Sequence, residues 1–359
     1  MPRFVVHSGQ GDYEIDFVGD LRPLASTIQC IPGGVLFIDQ NVDQLYAETF
    51  APVKEKIPSL VIPATEEEKT LAGVSRALEF FVQSDCTKQT VVIAVGGGII
   101  QDIATFAAHV YYRGVPFVFV PTTLLAMADS CIGAKCGINF SSFKNQLGVF
   151  HSPSRVLICT KFIETLAEVD VASGYGEILK LMLTGSAELY ERVETILDRS
   201  GFRNPDLESL IEQSLLVKKG IIEEDEYEKD IRRVLNYGHT FGHALESVTA
   251  HALPHGHAVA WGVDLANYLA YRRGILSQEL FERIHLLVCR HFRMRLTPPI
   301  STAALIRASR RDKKIVDGKL TMVLLERPGK LRLQPVDYDD TLRATIQGYV
   351  EQYSAFSGN

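Results

Sequence analysis

The sequence predicts two joined parts, an N-terminal α/β domain over residues 1–160 and a mainly α-helical C-terminal domain over 161–359. Three observations carry this. A chain of 359 residues is more than one ordinary hydrophobic core covers, so two domains are expected. Short apolar runs alternate with segments of helical length in the first half, the pattern of a parallel sheet with crossover helices. From Phe162 to Phe292 helical periods dominate, broken by turn signals at Asn204-Pro205, Leu253-Pro254 and Gly274.

The elements follow in order. GVLFID (34–39) and residues 60–63 read as strands, and 66–83 as a helix. VVIAV (91–95) is a strand that runs into Gly96, Gly97 and Gly98, and 99–112 is a helix. FVFV (117–120) ends at Pro121-Thr122-Thr123. Late in the chain, 320–326 and 331–336 flank Arg327-Pro328-Gly329-Lys330, which reads as a hairpin with a four-residue loop. No internal repeat or low-complexity tract interrupts the pattern.

Composition excludes several classes. A net charge of -6 argues against a general nucleic-acid binder. No run of about 18 uncharged apolar residues is present, so no membrane span is expected, and the first ten residues do not read as a signal peptide. The six cysteines are scattered and none forms C-x-x-C, which predicts reduced thiols, a cytoplasmic setting and no cysteine-based zinc site.

Three groups of residues could carry chemistry. The glycine run lies between a strand and a helix, where the absence of Cβ atoms and the helix N-terminus suit a pyrophosphate; a purely structural turn is the other reading, since G-x-G-x-x-G is not matched. Asp39, at the end of an earlier strand, could accept hydrogen bonds from a ribose, or be a solvated strand-end acid. In NYGHTFGHALE (236–246), His239 and His243 share one helical face; His255 follows Pro254, and Glu177 lies in the apolar stretch SGYGEILK. Nitrogen and oxygen ligands with one open position are the pattern of catalytic zinc, although H-x-x-x-H also occurs in ordinary helices. Lys135, Lys144, Arg113, Lys180, Lys218, Arg232 and Lys313-Lys314 each read as surface charge singly; as a set in an acidic chain they suit a substrate bearing phosphate and carboxylate. Lys180 stands three residues after Glu177, so the two can pair on a helix.

Ten short stretches together resemble the 3-dehydroquinate synthase family and the wider sugar phosphate cyclases. They are EEEKT (66–70), GGG-x-x-x-D (96–102), YRG (112–114), PTTLLA-x-x-DS (121–130), G-x-K-x-GIN (133–139), KN (144–145), GE-x-x-K (176–180), R-x-x-LNYGHTFGHA-x-E (232–246), HG-x-AVA-x-G (255–262) and RDKK (311–314). The resemblance implies a Rossmann-like nucleotide-binding α/β domain followed by a helical metal-binding domain, with the active site in the cleft, and a homodimer. It implies zinc, or cobalt, on Glu177, His239 and His255. It implies NAD against Asp39, Glu66, Lys69, Gly97, Gly98, Asp102, Thr122, Thr123 and Lys144, with Asp129 close to the nicotinamide. Lys135, Asn145 and His243 would surround the substrate phosphate, and Arg113 would reach the neighbouring subunit's phosphate site. Lys180, Lys218, Arg232, Asn236 and one of Lys313 or Lys314 would meet the substrate carboxylate and hydroxyls. The implied reaction is cyclisation of 3-deoxy-D-arabino-heptulosonate 7-phosphate to 3-dehydroquinate with loss of phosphate, a lyase step of the shikimate route.

The match has departures. Gln101 stands where the family has Gly, Cys136 where it has Thr, and Tyr175-Gly176 precede the zinc glutamate where it has x-Ala. Gln101 resembles the bulkier residue of cyclases that use sedoheptulose 7-phosphate, whereas Asn236 and the RDKK lysines match the carboxylate-using branch. Two further classes compete. A glycerol-dehydrogenase-like alcohol dehydrogenase shares the glycine run but lacks the Lys135, Lys144-Asn145 and Lys180 frame. A catalytically dead binding homologue would not need the full set Glu177, His239 and His255.

Overall fold

The structure is a computed structural model that describes residues 3–141, 143–250, 252–293, 300–310, 315–316 and 319–353. It divides into two compact units, Met1–Ala167 and Glu168–Asn359.

The first unit runs β1 (Arg3–Val6), β2 (Tyr13–Phe17), α1 (Leu21–Gln29), β3 (Gly34–Asp39), α2 (Gln40–Leu45), α3 (Ala47–Lys54), β4 (Ser59–Ile62), α4 (Leu71–Gln83), β5 (Val91–Gly96), α5 (Gly98–Val110), β6 (Phe117–Pro121), β7 (Lys135–Phe140), β8 (Phe143–Phe150) and β9 (Arg155–Ile158). Seven strands form one sheet in the order β1-β2-β9-β6-β5-β3-β4. All neighbours are parallel except β1 on β2. Every residue of β3 is buried, as expected of a parallel strand covered on both faces. The N-terminal pair β1–β2 and the separate antiparallel hairpin β7–β8 were not read from the sequence. KCGINF and FKNQLGVF lack the steady two-residue alternation that marks a half-buried strand.

Two boundaries move from the sequence reading. The helix expected from residue 66 begins at Leu71, because Thr70 caps it through its hydroxyl to the Gly73 N–H and residues 66–69 form the preceding turn. The late hairpin pairs Arg327 with Lys330, so its loop is the two residues Pro328 and Gly329 and not four, with Gly329 at φ +81.

The second unit is helical around one buried rod. Its elements are α6 (Glu168–Gly185), α7 (Ala187–Ser200), α8 (Leu207–Glu224), α9 (His239–Val248), α10 (His255–Arg272), α11 (Gln278–His291), α12 (Thr302–Ser309), β10 (Ile315–Val316), β11 (Lys319–Arg327), β12 (Lys330–Asp337) and α13 (Asp340–Tyr353). Helix α10 is buried from Gly256 through Ala270, with α6, α9, α11, α13 and β11 packed on it. A helix apolar on every side is stable only when surrounded, which is its position here. Among the described residues, no helix is long and apolar enough to cross a membrane, and all six cysteines are free.

Candidate active site

In the second unit, α6, α9 and α10 meet through glycine. A Cβ on Gly176 would overlap the carbonyl oxygen of Gly256, and one on Gly256 would overlap that of Ser173. On the other side of α10, a Cβ on Gly262 would overlap the Gly238 carbonyl. Gly238 itself lies at φ +78 and caps α9. Glu177, His255 and His239 are each the immediate chain neighbour of one of these contact glycines. Backbones this close let short side chains from three helices reach one point.

Glu177, His239 and His255 do so. Their candidate ligand atoms lie within 4.8 Å of one another. Glu177 Oε1 is 3.1 Å from His255 Nε2 and 3.5 Å from His239 Nε2. Two ligands of a tetrahedral ion at ordinary bond lengths stand about 3.3 Å apart, so the trio already has the spacing of a coordination edge. The far ring nitrogens are engaged. His239 Nδ1 is 3.2 Å from the Tyr237 carbonyl and His255 Nδ1 is 3.3 Å from Glu246 Oε2. With partners at Nδ1, both rings turn their Nε2 atoms toward Glu177. Burial opposes a charge on His255, yet hydrogen bonds to Glu177 and Glu246 outweigh it and hold this imidazole up to about 10. Two carboxylates around one ring therefore favour a positive charge at that point, and the donor set fits a divalent ion with a position left open. Lys180 pairs with Glu177 Oε2 inside the core, the i,i+3 partnership expected from the sequence.

His243 is exposed on the same face of α9, its ring 5.3 Å from that of His239 and 5.9 Å from that of His255. Glu246, three residues on, was quoted in the sequence motif without a role; with His243 and His255 it makes a second close donor group. Its spacing of seven from His239 was the available signal. Lys218, on α8, and Arg232 are buried. Arg232 lies in the turn Ile231–Asn236, which packs on α6 and α8. The Arg232 guanidinium donates to the Glu226 carbonyl, and Asn236 Nδ2 donates to Glu228. Asp225 ties this loop by accepting from the N–H groups of Lys229, Asp230 and Arg232 at 2.9, 2.7 and 3.1 Å. Lys313 and Lys314 lie outside the described residues.

In the first unit a second set gathers around the N-terminus of α5. Gly97 caps this helix without a side-chain hydrogen bond, and a Cβ on Gly98 would meet only Ser130 Oγ, at 4.0 Å. Space above a helix N-terminus that a methyl group could fill is what a phosphate needs. Thr122 is buried and its hydroxyl has no hydrogen-bond partner among the described residues, while the Thr123 hydroxyl accepts from the Ala126 N–H. Asp39 ends β3, is buried, and accepts from the Asn41 N–H at 2.7 Å; burial raises its pKa.

The hairpin β7–β8 brings in the rest. Lys69 pairs with Asp102 at 2.6 Å, and the Gly137 N–H donates to Asp102 at 3.2 Å. Burial raises the pKa of Asp102 against the pull of Lys69. Asn139 Nδ2 donates to Glu66 Oε1 at 2.8 Å, its side-chain oxygen accepts from the Asn145 N–H at 3.0 Å, and Lys144 Nζ is 3.7 Å from Glu66. Glu66, Lys69, Asp102, Lys144 and Asn145 are thus one connected group. Lys135, which opens β7, is exposed, and Asp129 is half-buried in the turn Ala126–Ser130. Arg113 is exposed in a strained turn in which Tyr112, Arg113 and Gly114 all have positive φ. Of the departures, Gln101 is locked onto Ser130 by two hydrogen bonds, 2.8 Å to its carbonyl and 3.0 Å from its hydroxyl. Cys136 is buried, which pushes its thiol well above the usual range.

The architecture is that of the sugar phosphate cyclases. A 2-deoxy-scyllo-inosose synthase complexed with carbaglucose-6-phosphate, NAD+ and Co2+ shares the fold, at TM-score 0.85 and 24% identity over 96% of this chain and 99% of that one. A 2-epi-5-epi-valiolone synthase from Streptomyces hygroscopicus, with NAD+ and Zn2+ bound, superposes at TM-score 0.84 with 27% identity, covering 97% and 99%. In sequence, residues 59–173 match the 3-dehydroquinate synthase N-terminal family and 174–315 its C-terminal family. A 3-dehydroquinate synthase of Dehalococcoides mccartyi is 34% identical over 351 residues, 95% of this chain and 96% of that protein. The chain belongs to the 3-dehydroquinate synthase family of enzymes.

Proposed function

We propose that this enzyme cyclises 3-deoxy-D-arabino-heptulosonate 7-phosphate to 3-dehydroquinate and releases phosphate, as an NAD- and metal-dependent lyase. The observation that carries the reading is the convergence of Glu177, His239 and His255 from three helices, beside a family likeness that spans both units. When bound, a divalent ion would supply Lewis acidity at the substrate hydroxyls, and NAD would supply reversible hydride chemistry.

The chain's own residues divide the remaining work. Glu177, His239 and His255 hold the ion, zinc or cobalt, and Glu246 and the Tyr237 carbonyl fix the two imidazoles. Lys180 balances the second oxygen of Glu177 and stands ready for a substrate hydroxyl. Gly97 and Gly98 with the α5 N-terminus take the pyrophosphate of NAD, and Asp39 takes a ribose. Thr122, Thr123, Glu66, Lys69, Asp102 and Lys144 complete the dinucleotide's surroundings, with Asp129 at the nicotinamide. Lys135, Asn145 and His243 bind the substrate phosphate, joined by Arg113 of a second subunit in a homodimer, and His243 assists proton transfer there. Lys218, Arg232, Asn236 and Lys313 or Lys314 meet the carboxylate and ring hydroxyls. The setting is the cytoplasm.

A second reading is favoured by Gln101, whose amide is held against Ser130 where the family has glycine. It makes the substrate sedoheptulose 7-phosphate, which lacks the carboxylate. One assay decides. The protein is given both sugar phosphates with NAD+ and zinc, and the cyclised product is identified. Dehydroquinate from the heptulosonate alone supports the first reading; turnover of sedoheptulose 7-phosphate alone replaces it. Steady build-up of NADH from simple alcohols would instead indicate a dehydrogenase.

A further inference from the structure

The two imidazoles of the ion site are held from behind by different means. His255 Nδ1 meets a carboxylate, Glu246, whereas His239 Nδ1 lies 3.2 Å from a main-chain oxygen, that of Tyr237. This oxygen belongs to the rigid peptide plane that joins Tyr237 to Gly238, so whatever fixes that plane fixes the direction in which the His239 ring points. Helix α10 fixes it at two places. Gly238 lies so close that a Cβ there would stand 2.8 Å from both the Val259 carbonyl oxygen and the Val263 nitrogen. The Tyr237 hydroxyl donates to Asn267 Oδ1 at 2.5 Å. Val259, Val263 and Asn267 follow at intervals of four, so the two contacts lie along one stripe of α10.

We propose that Asn267 and Tyr237 are positioning residues for the ion site, a role that rests on Glu177, His239 and His255 being the ligands. Asn267 anchors the Tyr237 hydroxyl. That bond, together with the Gly238 crossing, sets the plane whose oxygen turns His239 Nε2 toward Glu177. Both residues act through the His239 ring.

The energetics of Asn267 agree. It and Tyr237 are fully buried. The amide is satisfied at one end, since its Nδ2 has no hydrogen-bond partner among the described residues. A buried amide with an unanswered N–H group costs stability where leucine would not. A side chain that burdens the core is explained by what the bond it does make holds in place. Tyr237 is in the same position: phenylalanine would fill the space, and only the hydrogen bond distinguishes the two.

The test uses the full-length chain, with zinc and cobalt ions as the probes. Tyr237→Phe keeps the ring and removes the donor; Asn267→Leu removes the acceptor. Each should lower zinc affinity about tenfold, read by competition with a chelating dye. Each should also change the visible absorption of the cobalt-loaded protein, which reports the geometry around the ion. The double variant should bind zinc no more weakly than either single variant, because both lose the same bond. Wild-type zinc affinity and an unchanged cobalt spectrum in the folded variants overturn the proposal, even where the unfolding midpoint falls. Losses that add in the double variant overturn it too. Each single variant decides alone if the other does not fold. Full retention of zinc by His255→Ala would instead overturn the ligand set, and the proposal with it, so the two failures are told apart.

Discussion

Helix α10 holds two acid–imidazole groups, one at each part of its length, and they are closed in different ways. At its N-terminus, His255 faces Glu177 through one nitrogen and Glu246 through the other, with His239 and His243 alongside. Further along, His285 and Tyr349 both meet one oxygen of Asp264. The first group has more donors converging than protons to share, and it is half-open to solvent. The second has a partner for its imidazole and a sealed acid. The same residue types thus give an ion site in one place and a paired core group in the other. Convergence of ligand atoms, not the presence of His and Asp or Glu, separates them.

Substitutions at the two groups should therefore fail differently. His255→Ala should have the largest effect, lowering affinity for zinc by more than about 100-fold and abolishing turnover. Metal analysis after dialysis checks it, and full zinc content would break the ligand assignment. Asp264→Asn should keep its zinc but lose about 3 kcal/mol of stability, because it leaves a buried imidazolium without its anion. Urea unfolding of the two variants, each with chelator present, should rank D264N well below H255A. Glu246→Gln should fall between the groups in kind, weakening zinc affinity by about 10- to 100-fold while the fold stays intact. Zinc titration measures this, and unchanged affinity would remove Glu246 from its positioning role.

The remaining effects lie in pH. His285 is raised from its ordinary 6.5 to about 10, so its contribution is fully present below about 6.5 and is lost as pH rises through about 10. His257 is buried with no charged partner among the described residues and lowered to about 4, so its contribution is present above 6.5 and is lost as pH falls toward about 4. Unfolding midpoints measured across both windows should fall less steeply on the alkaline side in H285Q, and less steeply on the acid side in H257F. Parallel wild-type and variant curves would show that neither proton is linked to folding.

Much of this was legible in the sequence, for physical reasons that differ by region. The central strands could be read because GVLFID and VVIAV are apolar on both faces, as a covered parallel sheet requires. The histidines could be read because a spacing of four puts two rings on one helical face. What hid was long-range. Glu246 gains meaning only when Pro254 and the start of α10 bring His255 back against it. Asp264 and Tyr349 are 85 residues apart in the chain and touch only after α13 packs on α10. The β7–β8 hairpin hid because the Asn139 side chain is spent on donating to Glu66 in a distant turn and accepting from the Asn145 N–H, and not on an alternating face.

Main chain pressed on main chain at Gly176–Gly256 and Gly238–Gly262 sets the separation of three helices without reference to any rotamer. The leucines and valines around them can then be exchanged over evolutionary time without defocusing the point at which the ligands aim. A lineage can repaint most of this domain's interior and keep its chemistry, provided those few bare crossings stay bare.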